Sequence, residues 1–257
     1  TVWTKNAVGK SGYGIYAKLC NLTADSIGKT CGAAELVLKT DKPFCGHFSC
    51  SGVGNDLLVV VNDDTTLCDH PMDVDQHIED KSAASISTHI MQAGKMTKVT
   101  FAVGETYKAP VLKKGEVATE TVVVQNKNPR SMSFKNSKNN IVVAWEYCKH
   151  TTVIATKKTT SSCGFYMQKY NLTTDAKTKT ITAKALYPTN KLIYQKTEND
   201  YNAKIDKITL LDDDTEKFIF TYCNVTDMYN ICTYLAYDQK LNQIGDKFLM
   251  NGTNPKI

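Results

Sequence analysis

Arginine is almost absent from this chain. Arg130 is the only arginine, although lysine and arginine together number 31 among 257 residues. Guanidinium groups are the usual means of recognising phosphate and guanine, so their scarcity argues against a dedicated nucleic-acid binder. We therefore interpret the net charge of +5 as a solvated lysine surface and expect no nucleic-acid partner.

Long apolar runs and a recognisable leader are also lacking. No run approaches the ~20 apolar residues that a membrane-spanning helix needs, so we expect no membrane span in this segment. The chain has no stretch with a basic start and an apolar middle. It opens with Thr1 directly before Val2-Trp3, which is typical of the middle of a strand. We therefore expect a processed chain, or part of a larger chain or assembly.

Catalytic motifs are missing as well. The sequence contains neither a Gly-x-Ser-x-Gly elbow nor a His-Glu-x-x-His pair. Carboxylates are frequent, but spacing alone does not place two of them across one glycosidic bond. The sequence thus predicts no catalytic residue, no cofactor and no enzymatic activity.

Cysteine, by contrast, is abundant, with nine residues. Eight of them form four close pairs: Cys20 and Cys31, Cys45 and Cys50, Cys148 and Cys163, Cys223 and Cys232. Short separations suit disulfides that close hairpin loops. Cys68 has no neighbour of this kind, and we predict that it is free or bonded to another chain.

Metal sites are weaker interpretations of the same residues. Zinc could use Cys45, Cys50 and His47 with Cys68, His70 and His77, but the spacing between Cys45 and Cys50 is not that of a zinc finger. The acidic turns at Asp63-Asp64 and Asp212-Asp213-Asp214 lack the glycine of a calcium loop. Disulfides and solvated turns explain these residues more simply, so no metal is expected.

Four Asn-x-Thr sequons mark candidate N-glycosylation sites at Asn21, Asn171, Asn224 and Asn251. Sequons arise by chance, but together with clustered cysteines they indicate an oxidising, secretory environment. We therefore expect a secreted or cell-surface glycoprotein carrying N-linked glycans.

The chain repeats itself. Gly14 to Asp25 reads GIYAKLCNLTAD, and Gly164 to Asp175 reads GFYMQKYNLTTD. Strong β-branched runs recur at Leu57–Val61, Ile141–Trp145 and Phe218–Tyr222, each after a shorter apolar stretch and a polar turn. This pattern predicts a recurring unit of strand, turn and stronger strand.

Two further strands complete each unit. In the second unit they are predicted at Ile86–Met91 and Val99–Val103, and the best helical candidate, 79–92, lacks a clean helical period. The units span approximately 1–45, 46–130, 131–206 and 207–257. We predict an all-β chain of four-stranded antiparallel blades in a propeller-like arrangement. Tandem β-sandwich domains are the alternative, although they need ~100 residues and about seven strands each.

One stretch carries a family resemblance. Met132-Ser133-Phe134, a polar turn, Ile141–Trp145 and Gly164–Asn171 resemble the β-propeller-type repeats of large extracellular surface and adhesin-like glycoproteins. This chain departs from the pattern in its second and fourth units, where the tryptophan is absent. The resemblance implies a blade-like shape and an extracellular location.

The function expected from these features is a structural, adhesive or surface-assembly role. The expected partners are other protein chains or further repeats of the same protein. A secreted carbohydrate-binding protein, or a carbohydrate-active enzyme on a propeller scaffold, is the alternative, and it predicts a cavity containing Asp, Glu and Tyr.

Overall fold

The structure is a computed structural model. It describes residues 2–5, 13–18, 20, 32–40, 48–53, 56–62, 85–92, 95–99, 101, 103–134, 139–175, 177–178, 180–197, 202–225 and 229–253. The strands are β1 Val2–Lys5, β2 Tyr13–Ala17, β3 Glu35–Thr40, β4 Phe48–Val53, β5 Asp56–Asn62, β6 Ile86–Gln92, β7 Lys95–Lys98, β8 Glu120–Ser133, β9 Asn140–Val153, β10 Thr159–Thr174, β11 Ile181–Ala185, β12 Lys191–Gln195, β13 Ala203–Asp212, β14 Lys217–Val225, β15 Tyr229–Tyr237 and β16 Gln243–Thr253. Within these ranges, no helix is long and apolar enough to cross a membrane.

The strands form four antiparallel sheets in chain order. The first sheet is β1-β2-β3, the second is β4-β5-β6-β7 and the fourth is β13-β14-β15-β16. The third is β8-β9-β10-β11, with β12 also pairing with β10. Apart from β12, each strand pairs with its neighbours in sequence, so each sheet is a meander, the simplest product of strands joined by short turns. The all-β antiparallel prediction is confirmed, and none of the sheets closes into a barrel.

The middle strands of the second and third sheets are buried on both faces. Leu58–Val61 and Ile141–Trp145 have no exposed surface. Successive side chains of a strand point to opposite faces, so an uninterrupted buried run requires a layer on each side of the sheet. This is why these runs read as continuous apolar segments and not as alternating ones.

Three hydrophobic clusters fill the spaces between consecutive sheets. Ile15 and Ala17 of the first sheet pack with Val59 and Val61 of the second. The other face of the second sheet, including Leu58 and Val60, packs against the third sheet at Val143 and Trp145. The opposite face of the third sheet contributes Ala144, Phe165 and Met167 to a cluster with Phe218 and Phe220 of the fourth. The four sheets are therefore stacked in sequence order.

The first strands of the second, third and fourth sheets lie side by side. The backbone N–H of Ser131 in β8 donates to Ser49 Oγ in β4 at 2.8 Å, and Ser51 Oγ donates to Ser131 Oγ at 2.6 Å. On the other side of β8, Arg130 Nε donates to the carbonyl of Asp206 in β13 at 2.6 Å. The only arginine of the chain is thus a strand-to-strand contact.

Some details differ from the sequence prediction. The closing strand of the second sheet is β7, Lys95–Lys98, whereas Val103, expected in that strand, makes only an isolated bridge with Ile86. The helical candidate ends in β6, and its residues 79–84 lie outside the described residues. Strand β8 spans position 130, where the boundary between the second and third units was drawn. Strand β12 was not anticipated.

Candidate functional site

Two predicted disulfides occupy equivalent positions in the third and fourth sheets. Cys148 of β9 is bonded to Cys163 of β10, with Cα atoms 4.1 Å apart. Cys223 of β14 is bonded to Cys232 of β15, with Cα atoms 4.0 Å apart. In each case the two cysteines face each other directly in the strand register. The disulfides thus join the second and third strands of their sheets, as the sequence predicted.

The remaining cysteines give a mixed outcome. Cys20 is disulfide-bonded, whereas Cys31, Cys45 and Cys68 lie outside the described residues. Cys50 is free and exposed, so its predicted pairing with Cys45 is wrong. In the strand register Cys50 of β4 faces Val59 of β5, so the residue opposite it in the hairpin is not a cysteine.

The predicted glycosylation sites are distributed over several strands. Asn171 is half-buried in β10, and its Nδ2 donates to Asn140 Oδ1 at 2.8 Å. Asn224 is half-buried in β14. Asn251 lies in β16 opposite Ile231, and Asn21 lies outside the described residues. Whether any of these asparagines carries a glycan stays a prediction.

The acidic turn before β14 is held by hydrogen bonds to the side chain of its first aspartate, Asp212. Asp212 accepts hydrogen bonds from the hydroxyl of Thr215 and from the backbone N–H of Asp214. These bonds, led by that of the Thr215 hydroxyl, lower the pKa of Asp212. The geometry is that of a turn in which an aspartate side chain replaces a backbone acceptor. Asp63 and Asp64, and the candidate zinc ligands His47, His70 and His77, lie outside the described residues.

One cluster of potential metal ligands occurs in the described part of the chain, at Glu146, Cys148 and Cys163. Both sulfur atoms are committed to the disulfide, so neither can act as a thiolate ligand. Glu146 is itself paired with Lys196. This cluster is therefore a structural arrangement and does not fit a metal ion.

A serine–histidine pair, which the sequence did not reveal, lies at one end of the third sheet. His150 Nδ1 is 2.8 Å from Ser161 Oγ, and His150 Nε2 is 3.1 Å from Gln125 Oε1. The amide oxygen can only accept, so Nε2 carries the proton and Ser161 donates to Nδ1. A neutral amide does not stabilise an imidazolium as a carboxylate would. This relay joins β8, β9 and β10, and it does not meet the requirements of a catalytic triad.

Several polar and charged side chains line a cleft at the opposite end of the third sheet, beside the fourth sheet. Its volume is about 430 Å³, and the residues lining it include Asn140, Lys169, Tyr187, Asp213, Asp214 and Glu216. We call it the seam cleft. Its lining combines three carboxylates with a tyrosine and two lysines.

A buried ion pair forms the floor of the seam cleft. Lys169 of β10 is paired with Glu216, and the side chains of the two residues are 4% and 10% exposed. Lys169 Nζ also donates to the carbonyl of Gln239 at 3.2 Å, and it lies 5.3 Å from the centre of the Phe134 ring. Removal of two charges from water is costly unless each has close partners, and here both have them.

Hydrogen bonds extend this floor in both directions. Asn140 Nδ2 donates to Glu216 Oε1 at 3.0 Å, so the network runs from Asn171 through Asn140 to the ion pair. The hydroxyl of Tyr187 donates to the carbonyl of Gln239 at 2.8 Å. Burial, with the nearby carboxylates of Asp238 and Glu216, raises the pKa of Tyr187. The phenol thus stays protonated and keeps its bond.

Backbone conformations around the seam cleft are uncommon for their residue types. Positive φ angles occur at five non-glycine residues of the described ranges. Three of the five, Asn139, Glu216 and Leu241, lie in or next to the residues that line this region. Such conformations cost about 1–3 kcal/mol and persist where packing and hydrogen bonds impose them. The ion pair of Glu216 and the buried side chain of Leu241 supply that compensation.

No sequence motif indicated this cleft. Its residues come from β9, β10, two turns of the fourth sheet and the segment after β11. No short motif holds them, since only the stacking of the third sheet on the fourth brings them together.

Comparisons with known proteins add no family assignment. No protein-family model matches the chain. A comparison with curated proteins likewise finds no match.

Proposed function

We propose that this chain is a non-catalytic, disulfide-stabilised module of an extracellular glycoprotein, and that its stacked sheets are propeller-like blades serving adhesion or surface assembly. The observation that carries the proposal is the serial stacking of sheets with two buried faces. In a sandwich, two sheets share one core. Here the second and third sheets each contribute to two hydrophobic clusters.

The neighbouring first strands support blades over tandem sandwiches. β8 contacts β4 on one side and β13 on the other. Radial packing of blades places the first strands of consecutive sheets around a common axis. The disulfides at equivalent positions in two sheets favour repeated units exported to an oxidising compartment.

The outer face of the fourth sheet is the surface that we assign to assembly. Phe248 is 60% exposed and Met250 is 51% exposed. Both lie on the face opposite the core, where the Phe248 ring is 6.1 Å from that of Tyr234. Ile244, opposite Ala236, extends the same apolar surface. Repeated units bury such a face against the next unit, so a further repeat or a second chain of this type is the expected occupant.

Self-association of the purified chain tests this assignment. Sedimentation equilibrium should detect oligomers or, with separately produced repeats, a complex. Phe248→Lys should weaken that association at least tenfold, because it places a charge in an apolar contact. Leu249→Lys is the matched control, since Leu249 is 53% exposed but points to the other side of β16.

Secretion and chemistry provide the second test. We expect the protein from eukaryotic secretory cells to carry glycans on its sequons, and mass mapping to recover both disulfides. Free thiols at Cys148 and Cys163 in the secreted protein, or turnover of glycoside substrates, would contradict the proposal.

A further inference from the structure

The seam cleft has the composition of a binding site for a small neutral ligand. Three carboxylates line it, at Asp213, Asp214 and Glu216. Their charge opposes the binding of phosphate, sulfate or other anions. The cleft also holds two lysines, Lys169 and Lys240. Lys169 is already paired with Glu216, and Lys240 offsets only one of the two remaining carboxylates, so the cleft keeps a net negative charge.

A divalent cation does not fit either. A calcium or magnesium site needs several carboxylate oxygens that converge on one point. In the part of the chain that the structure describes, only the cluster at Glu146 brings three potential ligands together within 4.8 Å. The three carboxylates of the seam cleft therefore do not converge on one point, which suits separate hydrogen bonds to one extended ligand.

The floor of the cleft retains donors as well as acceptors. The ammonium group of Lys169 has three hydrogens, and two of them serve Glu216 and Gln239. Asn140 uses one hydrogen of its amide for Glu216. Each group keeps one hydrogen for a ligand, while the phenol oxygen of Tyr187 can still accept. A hydroxyl group can both donate and accept a hydrogen bond. A ligand with adjacent hydroxyl groups would therefore match these donors and acceptors.

A second compartment, lined by both apolar and polar side chains, adjoins the seam cleft. It has a volume of about 420 Å³ and shares Tyr187 and Lys240 with the seam cleft. Its other lining residues are apolar at Pro188, Leu192 and Leu241 and polar at Thr189, Asn190 and Lys191. A pyranose ring has the matching character, because its hydroxyls lie at the rim and its C–H groups form an apolar face that packs on an aromatic ring. Compartments of this size each suit one or two sugar rings.

We propose that the seam cleft and the adjoining compartment bind a neutral oligosaccharide of two or more residues. The ring of Tyr187 packs against one sugar. Asn140 and Lys169 donate to its hydroxyls, while Asp213 and Asp214 accept from them. The hydrogen-bonded floor from Asn171 to Gln239 fixes these groups before binding, which limits the entropy lost on association. This site goes beyond the assembly role and does not depend on it.

Saturation-transfer NMR with neutral disaccharides, namely maltose, cellobiose, mannobiose and chitobiose, tests the proposal on the intact chain. We expect at least one to bind with a millimolar or lower dissociation constant. Tyr187→Ala should weaken binding at least tenfold, since it removes the shared aromatic wall. Tyr187→Phe keeps the ring and should lose only two- to fivefold. Near-ultraviolet circular dichroism confirms that each variant is folded.

Tyr107→Ala is the matched control. Tyr107 lies over Lys149 and outside both compartments, with 4.8 Å between the Lys149 Nζ and the ring centre. This variant should bind like the parent. The proposal is overturned if none of the four disaccharides binds, if a sulfated or sialylated glycan binds in preference, or if Tyr187→Ala and Tyr107→Ala have the same effect. None of these results bears on self-association through Phe248, so the two proposals fail separately.

Discussion

Lys196 Nζ lies 2.6 Å from Glu146 Oε1, and both side chains are only 4% exposed. The second carboxylate oxygen of Glu146 accepts from Asn128 Nδ2 at 2.6 Å. The Lys196 ammonium also lies 5.0 Å from the centre of the Phe165 ring. Desolvation lowers the pKa of Lys196, and the charge of Glu146 partly opposes this shift. Each charge is therefore stabilised in its buried position by the other.

Removal of one partner should be far more harmful than removal of both. Lys196→Met leaves Glu146 buried without its cation, and we expect the free energy of unfolding to fall by about 3–5 kcal/mol. The double variant Lys196→Met with Glu146→Gln should recover most of that loss. Urea unfolding followed by tryptophan fluorescence measures both.

Lys191→Met is the control for this pair, since Lys191 is exposed in β12. It should change stability by less than about 0.5 kcal/mol. A double variant no more stable than Lys196→Met would show that the loss does not come from an unpaired Glu146, contrary to the geometry.

The two cross-strand disulfides should contribute similar amounts to stability. They close loops with sequence separations of 15 and 9 residues. The chain-entropy model then gives about 3 and about 2.6 kcal/mol. Serine replacement of both cysteines of one pair should lower the free energy of unfolding by roughly these values. Cys50→Ser should be neutral, because its thiol is free and exposed. A large effect of Cys50→Ser would argue for a bond that the structure does not contain.

Much of the fold follows from local pattern. The runs Leu57–Val61, Ile141–Trp145 and Phe218–Tyr222 all lie in the second strand of a sheet, β5, β9 and β14. They are recognisable because β-branched and aromatic residues in short runs favour buried strands. The pairs Cys148 with Cys163 and Cys223 with Cys232 are equally local, since a hairpin brings near neighbours in sequence face to face.

The remaining features depend on which sheets pack against each other. The seam cleft joins Lys169 to Glu216, which are 47 residues apart, and no pattern within a strand reports that contact. Cys50 shows that spacing alone can also mislead. Its distance in sequence from Cys45 suggested a bond, but the register of β4 and β5 places Val59 opposite it. Sequence spacing predicts pairing within a hairpin, whereas contacts between sheets require the three-dimensional packing.

Buried tyrosines should make the protein sensitive to alkaline pH. Desolvation, with a smaller contribution from Tyr222, raises the pKa of Tyr237 to about 12, while in the unfolded chain it is about 10. Above pH 10 the unfolded state therefore binds fewer protons than the folded state, and stability falls as the pH rises. Between pH 10 and 12 this tyrosine should cost up to about 2–3 kcal/mol. Tyr170, whose pKa burial also raises, acts in the same direction.

Tyr237→Phe isolates this contribution. The parent should lose stability faster than the variant between pH 10 and 12, and the two should run parallel between pH 7 and 9. Urea midpoints at each pH provide the measurement, with Cys50 alkylated to prevent disulfide exchange. The lowered pKa of Lys196 changes stability with pH in the opposite direction. Because Lys196 is present in both the parent and the variant, its contribution cancels in the comparison. Parallel curves across the whole range would contradict the assignment to Tyr237.

Gly164, the first residue of the Gly164–Asp175 stretch, lies close to the backbone of β12. A Cβ added there would lie 2.9 Å from the carbonyl oxygen of Tyr194 in β12. Gly164→Ala must therefore push β12 away from β10, and we expect a loss of about 1–3 kcal/mol. Gly52→Ala is the matched control, because Gly52 is also in a strand but has no atom within 4 Å of the added Cβ. Since alanine restricts the unfolded chain, that change should be neutral or stabilise by about 0.4–1 kcal/mol. If thermal unfolding instead shows equal effects for the two substitutions, the loss of glycine alone would explain both, and the close approach of β12 would have no energetic consequence.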